Sequence, residues 1–283
     1  MKKIGFVDFY LSEWHANNYP AWLRDACAKL GAEYEVAYAW AETDVSPVDG
    51  LTSAQWCEKM GVTLCATVEE LCEKSDVILV LAPSDPDKHL GYAKAVLPYG
   101  KRTYIDKTFA PDLATAKEIF AIAEQYGTPF FSTSALRFAS ELDLYGDDCR
   151  CIMTTGSGKS ANEYIIHQVE MVVRKLGIGA KSVRAERIGE NSLFFHVFYD
   201  DGRDATMTYA RDRLPFTVHM SGGAEKGVYA KAESAFFVNL MEDIIRFFET
   251  GEVSFDVAQT LEVMKIREGA LRAADNPGTL IEL

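Results

Sequence analysis

The sequence has no apolar run long enough to cross a bilayer. Its opening stretch, MKKIGFVDFY, is interrupted by Asp8 after a few residues, too soon for a signal-peptide core or a membrane span. Basic character is also scarce: 29 Lys and Arg stand against 42 Asp and Glu, a formal net charge of -13. That balance disfavours a nucleic acid or an anionic membrane as partner and leaves a small molecule as the expected ligand. The six cysteines, at 27, 57, 65, 72, 149 and 151, include no C-x-x-C pair. Cys149 and Cys151, one residue apart on a strand, chelate poorly without a second pair, so no metal site is expected. A chain of this size does not depend on a disulfide framework, so reduced thiols and a cytoplasmic location are expected. Internal repeats, low-complexity tracts and a linker between halves are absent as well. What is there is an ordinary globular composition, 283 residues with 48% hydrophobic and 25% charged, long enough for two domains.

Short apolar runs alternate with helical patterns over the first half. Strands are predicted at Lys3 to Phe9, Tyr34 to Trp40, Asp76 to Ala82, Arg102 to Asp106 and Phe130 to Ser134. Helices are predicted at Tyr19 to Leu30, with Pro20 in the first turn, and at Ser53 to Met60, Thr67 to Glu73, Ser84 to Leu97 and Leu113 to Tyr126. This alternation implies a doubly wound parallel sheet with right-handed crossovers over residues 1–135. The pattern then changes. Ser192 to Tyr199 and Ala205 to Tyr209 flank Asp200-Asp201-Gly202-Arg203, a hairpin signal, and beta-rich runs follow at Phe216 to Met220 and Val228 to Lys231. Helices at Glu233 to Glu249, apolar on one broad stripe, and at Val257 to Ala274 close the chain. Residues 136–283 are therefore expected to form an α+β domain with a mostly antiparallel open sheet.

Asp106-Lys107-Thr108 lies at the exit of a buried strand, and ligands of open parallel sheets bind beyond the carboxyl ends of the strands. A lysine there meets a ligand directly, or else snorkels at the strand end. Val77 to His89 (VILVLAPSDPDKH), Tyr104 to Thr108 (YIDKT), Ala135 to Phe138 (ALRF) and Gly158 to Glu170 (GKSANEYIIHQVE) follow in order. Together with the two closing helices, this order and spacing resembles the glucose-fructose oxidoreductase/inositol dehydrogenase/MocA family over most of the chain.

The resemblance implies a Rossmann-like first domain and a nicotinamide-dependent oxidoreductase acting on a hydroxyl-bearing carbon of a sugar, polyol or related compound. NAD or NADP is the implied cofactor, and a homodimer or homotetramer through the second-domain sheet the implied assembly. By the same analogy His167 exchanges the hydroxyl proton, Lys107 polarises the substrate oxygen, and Glu163, four residues before His167, orients the substrate. Asp8, Phe9, Tyr10 and Glu42 are implied to border the cofactor from the first two strands. Ala82, Pro83, His89 and Asp106 are implied to do so from the later ones, with His89 on a helix face supporting the crevice. The chain departs from the family at the first turn. Where the family has G-x-G-x-x-G/A, Asp8 to His15 holds no glycine; Tyr10 and Glu13 crowd a diphosphate, and Asp8 and Glu13 oppose its charge. Trp40 replaces the ribose-binding acid, with Glu42 close behind, and Asp106 and Thr108 stand for Glu and Pro around the lysine. The glycine-free turn motivates an alternative, a non-redox binding or sensor protein that keeps the architecture without holding a dinucleotide.

Overall fold

A computed structural model describes residues 1–211 and 214–283. They divide into two compact units, Met1–Thr133 with Val238–Ser254, and Ser134–Phe237 with Phe255–Leu283.

The first unit holds six strands, β1 (Lys2–Asp8), β2 (Tyr34–Ala41), β3 (Thr63–Leu64), β4 (Val77–Val80), β5 (Thr103–Ile105) and β6 (Phe130–Phe131), in the order β3-β2-β1-β4-β5-β6. Every neighbouring pair is parallel. The order reverses between β1 and β4, and in such sheets the crevice at the strand carboxyl ends on either side of that reversal receives ligands. The centre of the sheet is closed to water: Ile4, Phe6 and Val7 of β1 and Ile78, Leu79 and Val80 of β4 are fully buried, as strands covered on both faces must be. Gly5 is required there, because a Cβ would lie 2.3 Å from Ser75 Oγ and 2.6 Å from Leu71.

The crossovers run through α1 (Trp14–Leu30), α2 (Ser53–Met60), α3 (Val68–Lys74), α4 (His89–Val96) and α5 (Leu113–Tyr126). α2 and α5 match their predicted ranges. α1 begins well before the expected Tyr19 and contains Pro20 in its interior, because Glu13 serves as its N-cap. The single helix expected over Ser84 to Leu97 is α4 flanked by 3-10 turns at Pro86–Lys88 and Leu97–Tyr99; Pro86 and Pro98 lack the amide that a longer helix would need. β3 was not foreseen, since two exposed residues carry no periodicity.

The second unit holds β7 (Cys151–Ser157), β8 (Ala180–Ile188), β9 (Ser192–Tyr199), β10 (Asp204–Ala210), β11 (Thr217–Ser221), β12 (Val228–Lys231) and β13 (Leu280–Glu282), ordered β12-β11-β7-β10-β9-β8-β13. Neighbours are antiparallel except β7 and β10, which run parallel. The predicted hairpin joins β9 to β10. Along β9, Leu193, Phe195, Val197 and Tyr199 alternate inward, and the helices α6 (Ala161–Leu176) and α8 (Ala258–Asp275) contact the sheet.

The helix α7 (Phe236–Thr250) corrects the expected boundary. From Val238 to Ser254 the chain belongs to the first unit, not to a continuous domain over 136–283. The apolar stripe of α7 explains this: Phe247 packs edge-on against Phe131 at 5.0 Å, and Phe248 lies 5.9 Å from Tyr34. The Arg102 guanidinium donates to the Phe248 and Glu249 carbonyls near the helix end, as cations at helix C-termini commonly do.

Candidate active site

In the first unit the carboxyl ends of β1, β4 and β5 bring together most of the residues singled out in the sequence. Asp106, just past β5, is fully buried. Its carboxylate accepts the Lys107 amide at 2.8 Å and the Tyr19 hydroxyl at 3.1 Å, and makes a short hydrogen bond with His15 Nδ1. Burial alone would raise its pKa; the charge and hydrogen bond of His15, followed by Lys107, outweigh that and hold the carboxyl below the usual range. Lys107 is 8% exposed and its Nζ donates to the Pro83 carbonyl at 3.2 Å. The lysine is thus a nearly buried cation, not a surface snorkeller. The Lys107–Thr108 peptide is cis.

Ala82 has φ +57°, a left-handed conformation that costs a non-glycine residue of order 1 kcal/mol or more. Asp8 holds it there, its Oδ1 accepting the Ala82 amide at 3.0 Å and the Phe9 amide at 2.7 Å. Burial, then the neighbouring Glu13 charge, pushes the Asp8 carboxyl well above the usual range, and its Oδ2 is buried with no partner. His89, placed at the cofactor by resemblance, has no exposed surface. Its ring nitrogens lie 3.0 Å from the Phe109 carbonyl and 2.5 Å from the Leu81 carbonyl, so it braces the loops after β4 and β5. Glu42 accepts from Tyr92 Oη at 2.8 Å and pairs with Lys88, whose ammonium stands 4.7 Å over the Phe9 ring. The Lys88 bond is the main cause holding the Glu42 carboxyl below its usual range.

The turn where the diphosphate of a dinucleotide would lie is filled from within. Glu13 caps α1, its carboxylate accepting the amides of His15 at 2.8 Å and of Ala16. Those amides are the donors that bind phosphate in dinucleotide folds. The cavity lined by Asp8, Tyr10, Glu13, Ala82, Pro83 and Asp85 is about 10 Å³, room for at most about one water molecule. As it stands, this turn does not fit a diphosphate.

The second unit holds the remaining pair. Ser160 caps α6, accepting the Glu163 amide at 3.3 Å, and Glu163 and His167 lie one turn apart on that helix, both half-buried. His167 Nδ1 is 2.5 Å from Ser134 Oγ, and its ring meets Tyr164 and Phe216 edge-on at 5.7 Å. Gly158 must be glycine, since a Cβ would fall 2.0 Å from the Tyr164 ring. Below His167, buried Glu170 accepts the Ser134 amide at 3.0 Å and pairs with Arg137 at 3.2 Å. Arg137 stacks on Phe255 at 3.8 Å. Sequence reasoning missed His15 and Tyr19 as partners of Asp106, and Ser134 as the partner of His167. His15 and Tyr19 follow each other at i,i+4 on α1, a spacing that signals a shared face; Ser134 carried no local signal.

Comparison with known proteins agrees with this architecture. The GFO_IDH_MocA family, described as an oxidoreductase family with an NAD-binding Rossmann fold, matches residues 40–134. An uncharacterized oxidoreductase, YhhX of Escherichia coli K12, is 41% identical over 66 residues, spanning 22% of this chain and 19% of that protein. Among solved structures, GenD2 from gentamicin A biosynthesis in complex with NAD is similar with a TM-score of 0.80 at 13% identity, covering 100% of this chain and 97% of that one. A probable dehydrogenase from Thermotoga maritima gives 0.79 at 11% identity over 99% and 98% of the two chains. A putative myo-inositol dehydrogenase from Sinorhizobium meliloti gives 0.78 at 13% over 100% and 99%. Among the described residues no helix is long and apolar enough to cross a membrane, and no group of three or more His, Cys, Asp or Glu is arranged to hold a metal ion. With its 3-2-1-4-5-6 parallel sheet and its second, mixed sheet, the chain shares the fold of these solved structures, and the GFO_IDH_MocA family model matches it over residues 40–134.

Proposed function

We propose that the chain is an oxidoreductase that moves hydride between NAD or NADP and a hydroxyl-bearing carbon of a sugar, polyol or related small molecule. The observation that carries this reading is Lys107, a nearly buried cation at the carboxyl end of β5, anchored through its own amide to Asp106. An ammonium so placed hydrogen-bonds the reacting oxygen and stabilises the charge that grows on it as its proton leaves. His167 takes that proton during oxidation and returns it during reduction, with Ser134 on Nδ1 fixing the ring. Glu163, one turn earlier on α6, binds a substrate hydroxyl. The NAD held by GenD2 and the inositol named for the Sinorhizobium meliloti protein support the cofactor and substrate classes. We further infer a cytoplasmic homodimer or homotetramer assembled through the second-unit sheet; the cysteines among the described residues are all free thiols, which suits a reducing compartment.

Titration with NADH and NADPH, followed by nicotinamide fluorescence, tests the reading together with turnover on a panel of polyols and sugars. Binding of at least one dinucleotide is expected. His167→Ala should lower turnover by about 10²–10⁴-fold and Lys107→Ala by about 10²–10³-fold. If neither dinucleotide binds at millimolar concentration and no substrate is oxidised, the redox reading gives way to that of a ligand-binding protein.

A further inference from the structure

The first turn of this chain does more than lack glycines. At the three places where the family pattern puts them stand Asp8, Tyr10 and Glu13, and each has a structural task. Asp8 Oδ1 accepts the Ala82 amide and so holds the left-handed turn after β4. Tyr10 lines the small cavity beside it. Glu13 turns its carboxylate back onto the first turn of α1 and accepts two of the amides that no intrahelical carbonyl can reach. A carboxylate in that position offers two anionic oxygens to two converging N–H groups, the same contact that a phosphate makes at a helix N-terminus.

The surroundings lock this arrangement. Glu13 is 7% exposed. Ser12 Oγ donates to Asp49 Oδ2 at 2.7 Å, and the Ser12 carbonyl accepts Ser46 Oγ at 2.9 Å, which pins the turn to the segment after β2. Asn17, in the next turn of α1, accepts the Trp56 indole N–H at 2.8 Å. A second observation stands apart from the helix end. Asp8 Oδ2, on a residue 1% exposed, lacks any partner and borders the same cavity as Glu13. A buried polar atom without a partner is costly, and here it marks a spot that a diphosphate-binding turn would leave to glycine.

We propose that Glu13 is a built-in anion that occupies the diphosphate site of the first unit, so that a dinucleotide enters only by displacing the Glu13 carboxylate from the amides of His15 and Ala16. This rests on reading the crevice at the end of β1 as the dinucleotide site. Glu13 is then a specificity-determining residue. It disfavours ligands that use the helix N-terminus for a phosphate group and leaves those held mainly by the ends of β4 and β5 unaffected.

The test compares the full-length wild type with Glu13→Gly and Glu13→Ser. Both replacements are compatible with an N-cap position, and melting curves followed by circular dichroism establish that each variant is folded. NADH affinity is measured by fluorescence, and binding of inorganic pyrophosphate by the rise in melting temperature. Both variants are expected to bind NADH at least ten times more tightly than the wild type, and to gain a pyrophosphate-dependent rise in melting temperature that the wild type lacks. Equal NADH affinity in all three proteins overturns the inference but leaves the redox reading standing. Variants that gain pyrophosphate binding while the wild type takes no dinucleotide uphold the inference and remove the redox reading. Folded variants that gain nothing overturn it. On the wild type alone, a crystal grown with NADH in which the diphosphate contacts α1 while Glu13 still caps it would also overturn it.

Discussion

Asp106 is where the first unit concentrates its electrostatics. A fully buried carboxylate is tolerated only when its charge is answered, and here His15, Tyr19 and the Lys107 amide answer it. Its pKa in the folded chain lies below that of an ordinary carboxyl. A depressed acid contributes stability that is present above its unfolded pKa, about 3.9, and is lost as pH falls through the folded value. Asp106→Asn should therefore flatten the acid limb of the stability curve and cost about 3 kcal/mol at neutral pH, because it leaves His15 without its buried partner. Urea melts from pH 7 down to pH 3 measure both, and an unchanged acid limb would exclude the pairing. In the sequence Asp106 was legible as a conservative replacement beside Lys107 and, by resemblance, as a residue bordering the cofactor. Its role became visible once α1 delivered His15 and Tyr19 to the end of β5, a contact about ninety positions away along the chain that local pattern cannot carry.

At the scale of elements, periodicity located most helices and strands, and failures came where a side chain outside the pattern took charge. Glu13 is not a favoured N-cap residue, so the pattern places the start of α1 at Tyr19, several residues after its actual start at Trp14. α7 shows the other kind of failure. Its apolar stripe was plain in the sequence, but a stripe does not say which sheet it covers; the rings of Phe131 and Tyr34 decide that in favour of the first unit. Phe247→Ala should accordingly destabilise the fold by about 3–5 kcal/mol through the cavity it leaves, with the loss read from the denaturant midpoint. A loss under about 1 kcal/mol would mean that α7 does not anchor the first unit.

For the whole molecule, the mixed sheet of the second unit matters most. Tyr229, His219 and Met153 sit opposite one another across β12, β11 and β7, and Tyr229 and Met153 are 68% and 44% exposed. Large apolar side chains in one exposed row are a common mark of a protein interface. Light scattering should give a mass of at least twice 31.5 kDa; a monomer at that mass would end the proposal of assembly through this sheet. The alternation of apolar runs and helices was enough by itself to determine the doubly wound first unit and the change of architecture after it, and the order of short motifs around Lys107 and His167 carried the family resemblance. These are local patterns, and secondary structure and strand burial follow from them. Whether the glycine-free turn is merely crowded or already holds an anion was decided only by the tertiary structure. That answer depends on which way one carboxylate points: Glu13, the N-cap of α1 in a turn that Ser12 ties to Asp49, points at the amides of His15 and Ala16.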